Sequence, residues 1–224
     1  FYGKYSVYII PVCKFVFALT VFVSITLGTG YMRQANNPFI PIVAAAACAF
    51  LPSAAITFFT CILILLHLYA VSVEITAVVA LLFLMMFLLY FVFKPGNAWL
   101  MTAVILAGVW EIPGTVILSV GLVAGPLSVV PVCFGILTSG FVSLVKTDFS
   151  VFSSGSSSLN GIQKIIYYMN SIVGDEKTLL LLGAALLTVL LVWAVRRLSI
   201  HYAWAVALAV GTIVYSFLVL AGNF

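Results

Sequence analysis

Side chains able to do chemistry are scarce in this sequence, and Glu111 is the most informative of them. It stands near the middle of an apolar run from Ala98 to Ala124, beside Trp110 and immediately before Ile112-Pro113-Gly114. A carboxylate at bilayer depth is expensive, so such residues face a bundle interior or a water-filled cavity. There Glu111 could take up a proton or contact a cation. The blander reading has a protonated Glu111 serving backbone carbonyls that Pro113, which lacks an N–H, leaves open.

The break at Pro113 has a counterpart. An earlier apolar run, Phe39 to Tyr69, is interrupted at Leu51-Pro52-Ser53, and Pro113 lies 61 residues after Pro52. The same offset carries Arg33 onto Lys94 and Asn36 onto Asn97. In hydrocarbon, backbone groups freed by a broken helix need a protein or water partner. Paired broken segments in corresponding positions therefore point to a buried ion or solute site. The path residues expected on this basis are Glu111, Pro113, Pro52, Ser53 and Lys14, which lies inside the first apolar run. Lys14 either snorkels to the interface or pairs with Glu111, each relieving the other's desolvation. His67 and Glu74 are a secondary pair flanking a helix end, where they could meet at one membrane surface. A solvated interfacial histidine is the simpler expectation for His67. For both prolines, an ordinary structural kink is the competing reading.

What the chain lacks is equally informative. It carries no nucleophile elbow, Walker loop, HExxH or paired carboxylates. No nucleophile stands beside a base, so an enzyme is not expected, and no cofactor is implied. Cys13, Cys48, Cys61 and Cys133 all lie in apolar runs, without a CxxC or a neighbouring histidine. They read as small packing residues, with neither a disulfide framework nor a metal site. Nine basic and five acidic residues are too few and too scattered for a nucleic-acid surface.

The elements that must position these groups follow from composition. The 224 residues are 65% hydrophobic and 6% charged, with a mean hydropathy of +1.33. A soluble domain carries roughly 25% charged residues, so this chain cannot cover a water-facing surface. The expected fold is all-α, a polytopic transmembrane helical bundle in a plasma membrane. Strand barrels are disfavoured, because their ~10-residue segments alternate in polarity. With ~20 apolar residues per crossing, the runs give six to seven spans, including two Pro-broken helices. Counting each broken run as one kinked crossing places Arg33, Lys94, Lys146, Lys164 and Lys177 on one side. The positive-inside rule then favours kinked crossings over re-entrant half-helices, although Arg196-Arg197 argue against it.

One membrane domain, 1–224, is expected, with an internal repeat of 33–93 and 94–146. Two crossings per unit would make the repeats parallel. A polar loop and amphipathic helix fill 147–177, where Ile162, Ile165, Ile166, Met169 and Ile172 recur at helical spacing. That pattern suits a helix lying in the membrane interface. A helical hairpin, 178–224, closes the chain, with Ala203, Ala207 and Gly211 as a small-residue packing face. A chain opening on Phe1 rather than Met implies an upstream piece. Two functions fit: a small transporter or channel with its path between the broken helices, or a non-catalytic subunit or scaffold of a larger membrane complex. Partners expected are the lipid bilayer and further copies of the chain or other membrane subunits, with a soluble partner on the amphipathic helix in the scaffold reading.

Overall fold

The computed structural model describes residues 2–29, 37–93, 97–149, 161–199 and 201–222. Their regular structure is helical: α1 (Tyr2–Thr29), α2 (Phe39–Phe50), α3 (Ala54–Tyr69), α4 (Val73–Phe93), α5 (Trp99–Val109) and α6 (Pro113–Val123), then α7 (Val129–Thr147), α8 (Gly161–Val173), α9 (Glu176–Arg196) and α10 (Ala203–Ala221). A 3-10 turn, Pro126–Ser128, precedes α7. Among the described residues, four helical stretches are long and apolar enough to cross a bilayer. This is a membrane-embedded helical protein.

Both prolines break their runs where the sequence placed them, but each break reverses the chain. Lys14 of α1 contacts Leu51, at the end of α2. The short stretch between α1 and α2 then requires that α2 run back along α1. Beyond Pro52, α3 returns: Phe58 packs edge-on to Phe87 at 6.0 Å, and Ile64 lines a cavity with Ile25 and Gly28, near the end of α1. The second broken run behaves likewise. Trp99 packs on Phe17 and Trp110 on Ser24, so α5 advances along α1. After Pro113, α6 doubles back, and Val116, Val120 and Val123 share a cleft with Trp99, Leu100 and Ala103.

The hairpins therefore enter the bundle from opposite ends. One end holds Thr29, Asp148, Asp175 and Glu176 and is called here the acidic end; the other, where α9 finishes, is the arginine end. The pair α2–α3 enters from the acidic end and α5–α6 from the arginine end. This corrects the expectation of two kinked crossings. The physical reason lies in the lengths: the halves have 12, 16, 11 and 11 residues, roughly 16–24 Å each, enough to dip in and return. Charges were too few for the positive-inside rule to discriminate.

Close approach between helices is set by small residues. A Cβ on Gly108 would lie 2.7 Å from Ser139 Cβ, so α5 and α7 are packed nearly backbone to backbone. Gly211, from the expected small-residue face of α10, is buried against Val192 and Leu118. The largest buried cluster joins α1, α3 and α4 and includes Phe22, Ile64, Phe83 and Met86. A second, around Ile117, Val132 and Val189, ties α6 and α7 to α9.

The expected amphipathic helix is α8, and it has three faces. Ile165, Tyr168 and Ile172 turn towards the bundle, where the Tyr168 ring stacks on Phe141 at 5.7 Å. Burial pushes the Tyr168 phenol pKa up. Ile162, Ile166, Met169 and Val173 form an exposed apolar stripe, with Ile162 74% exposed. Gln163 and Asn170 fill a third, polar face. A helix that meets protein, apolar medium and water on successive faces suits the boundary of a bilayer.

Candidate functional site

The site is built around the turn between α5 and α6. Glu111 N–H donates to Gly108 O at 3.2 Å, and Ile112 N–H to Ala107 O at 2.8 Å. Together these bonds close α5 as a Schellman motif, in which the residue after the cap adopts a left-handed conformation. Glycine normally takes that place; here it is Glu111, with φ 59°. The Cβ of a left-handed residue crowds the following carbonyl at a cost of roughly 1–2 kcal/mol. Pro113 then opens α6 at a position where no N–H is needed. The main chain therefore satisfies the carbonyls of Ala107 and Gly108 itself. The Glu111 side chain is not required for that task, and no hydrogen bond or ion pair holds its carboxylate among the described residues.

Two cavities meet at this turn. The larger, about 1030 Å³, opens at the acidic end and runs down to Glu111 and Pro113. Its wall includes Ser143 and Asp148 of α7 and its extension, and Asp175, Glu176 and Lys177 at the start of α9. Thr178 donates to the Asp175 carboxylate. The smaller cavity, about 180 Å³, lies on the α1 side of the same turn and is lined by Gly28, Thr29, Glu111 and Lys146. Gly108, Ser139 and Ser143 line both. The turn sits below the acidic surface: α7 extends eight residues, ~12 Å, past the level where Gly108 meets Ser139, and Glu111, three residues beyond Gly108, lies ~7 Å below the end of α7.

The remaining expected residues lie elsewhere. Pro52 and Ser53 form the tip of the other hairpin, where Lys14 Nζ donates to Leu51 O at 3.1 Å. Trp110, next to Glu111, instead donates to Ser24 Oγ at 3.2 Å. Ser24 is ~15 Å further along α1 than Lys14. Lys14 thus serves the Pro52 break and does not pair with Glu111, and the two breaks do not converge. The reason is the opposed insertion of the hairpins, which carries their tips past each other. His67 is wholly buried in the last turn of α3 rather than solvated, because α1, α4 and α5 pack around that helix. Glu74 accepts a 2.5 Å hydrogen bond from Ser72 Oγ and lies against Gly161 of α8.

Sequence reasoning missed Ser139, Ser143 and Lys146 as site residues. Their i, i+4, i+7 spacing on an otherwise apolar helix was the available signal. The wall carboxylates Asp148, Asp175 and Glu176 read as ordinary loop charges. All four cysteines are unpaired; Cys48 and Cys61 are buried as expected, and Cys13 is exposed. No protein-family model, curated protein or solved structure matches the chain.

Proposed function

We propose that the protein is a small multi-pass membrane transporter, without catalytic activity, that moves an ion or small polar solute past the Glu111 turn. The observation that carries this reading is the cavity of about 1030 Å³ that descends from the acidic end to that turn. Non-helical backbone at membrane depth is tolerated where it lines a water-filled cavity, and an unpartnered carboxylate there is a functional group by default.

In this reading α1, α4, α7, α9 and α10 cross the bilayer, α2–α3 and α5–α6 are re-entrant hairpins, and α8 lies in the interface. That is fewer crossings than the six to seven expected. Residues 2–69 and 73–123 then become the two related units, each a crossing helix followed by a hairpin. They insert with opposite sense, as in carriers built from inverted repeats. Such a carrier has a second state, with access from the arginine end through the α2–α3 tip. A plasma membrane location and self-association accompany this proposal.

The test is flux in reconstituted vesicles. Glu111→Gln should abolish uptake while expression and folding stay intact; wild-type rates in the variant would remove Glu111 from the path. The second reading, a non-catalytic subunit or scaffold, draws support from the exposed apolar stripe on α8. It gains if purified protein shows no flux and a membrane partner copurifies only when Ile162 and Ile166 are intact.

A further inference from the structure

We infer that the 180 Å³ cavity binds a small zwitterion, its cationic group on Glu111 and its carboxylate on Lys146. This rests on the transport reading above and names the substrate class. Glu111 and Lys146 both line the cavity, yet no ion pair joins them, and neither makes a side-chain hydrogen bond among the described residues. Lys146 Nζ instead rests against α1, 3.6 Å from where a Cβ on Gly28 would be. One carboxylate and one ammonium thus face a shared space without neutralising each other.

Charge decides between ligand classes. A lone cation drawn to Glu111 meets the Lys146 ammonium in the same small space, and a lone anion drawn to Lys146 meets the Glu111 carboxylate. Glu111 and Lys146 are both exposed, and in a space this small each like-charge contact is unfavourable. A neutral solute leaves both charges unmatched. A zwitterion satisfies both at once. The hydroxyls fit the same polarity. Ser139 donates to Ile136 O at 2.8 Å and Thr29 to Ile25 O at 2.7 Å, so those two oxygens remain as acceptors for an ammonium. Ser143 Oγ makes no such bond among the described residues and can donate to a carboxylate.

Size is compatible with the class. At ~30 Å³ per water, the space of about 180 Å³ holds about six waters, more than a small α-amino acid such as alanine fills.

The test is isothermal titration of the purified protein in detergent with alanine, ethylamine and propionate. Wild type should bind alanine at least about tenfold more tightly than either single-charge analogue, since a charged hydrogen bond is worth that much. Lys146→Gln should erase the preference for alanine over ethylamine, and Glu111→Gln the preference for alanine over propionate. Wild-type binding of ethylamine or propionate as tight as or tighter than that of alanine, or no binding of alanine, overturns the inference, and that measurement requires no variant to fold. Vesicle flux separates the two levels. Glu111-dependent cation flux without alanine binding leaves the transporter and removes the zwitterion. Alanine binding without flux of any solute keeps the site and removes the transporter.

Discussion

Lys14 Nζ donates to the main-chain oxygen of Leu51 across 3.1 Å. Leu51 closes α2 just before Pro52, where the last carbonyls of a helix lack intrahelical donors. The ammonium also faces the partial negative charge of a helix C-terminus. A lysine that reads as a snorkelling or path residue is therefore the latch on a hairpin tip. Lys14→Met keeps the aliphatic stem and deletes the donor. It should lower stability by about 1 kcal/mol, the scale of an exposed hydrogen bond. Thermal unfolding in detergent reads this, with Lys14→Arg keeping most of the wild-type stability; equal Tm values for Lys14→Met and wild type would contradict the latch.

Glu111 occupies a left-handed position at φ 59° that glycine fills without strain. Glu111→Gly should therefore raise stability by about 1 kcal/mol and at the same time abolish flux. Opposite signs for stability and activity are the signature of strain held at a working residue. A destabilised Glu111→Gly protein would show instead that the carboxylate supports the fold.

The contact of Gly108 with Ser139 admits no side chain, since a Cβ would stand 2.7 Å from the serine Cβ. Gly108→Val should force α5 and α7 apart and cost about 1–3 kcal/mol, the usual penalty for overpacking. Ser139→Gly in the same chain should recover part of it. Loss of Tm without recovery in the double variant would place the strain elsewhere.

The three faces of α8 predict a depth pattern. Spin labels replacing Ile162 and Ile166 in vesicles should be quenched by a lipid-soluble relaxant, and labels at Gln163 and Asn170 by a water-soluble one. Uniform water accessibility at all four would put α8 outside the bilayer boundary and favour a protein partner for its apolar stripe.

Several features were legible from residues alone. Continuous apolar runs set the class, because no arrangement of so few charges covers a water-facing surface. Proline fixed where two helices break, since it removes a donor and clashes with the preceding turn wherever it sits. Apolar residues recurring every three to four positions marked α8, and Glu111 stood out as a carboxylate within an apolar run. These are local or compositional properties, and they survive any tertiary arrangement.

What happens after each proline was decided by packing. A break frees the chain to continue or to reverse, and local sequence is compatible with both. Reversal wins here because Phe58 finds Phe87, and α6 finds α9, where Gly121 meets Val192. That choice carries Lys14 to Leu51 instead of Glu111, buries His67, and leaves the Glu111 carboxylate across a small cavity from Lys146. None of these pairs is close in sequence. Their meeting depends on which ends of the bundle the two hairpins enter, and that is a property of the whole packed chain.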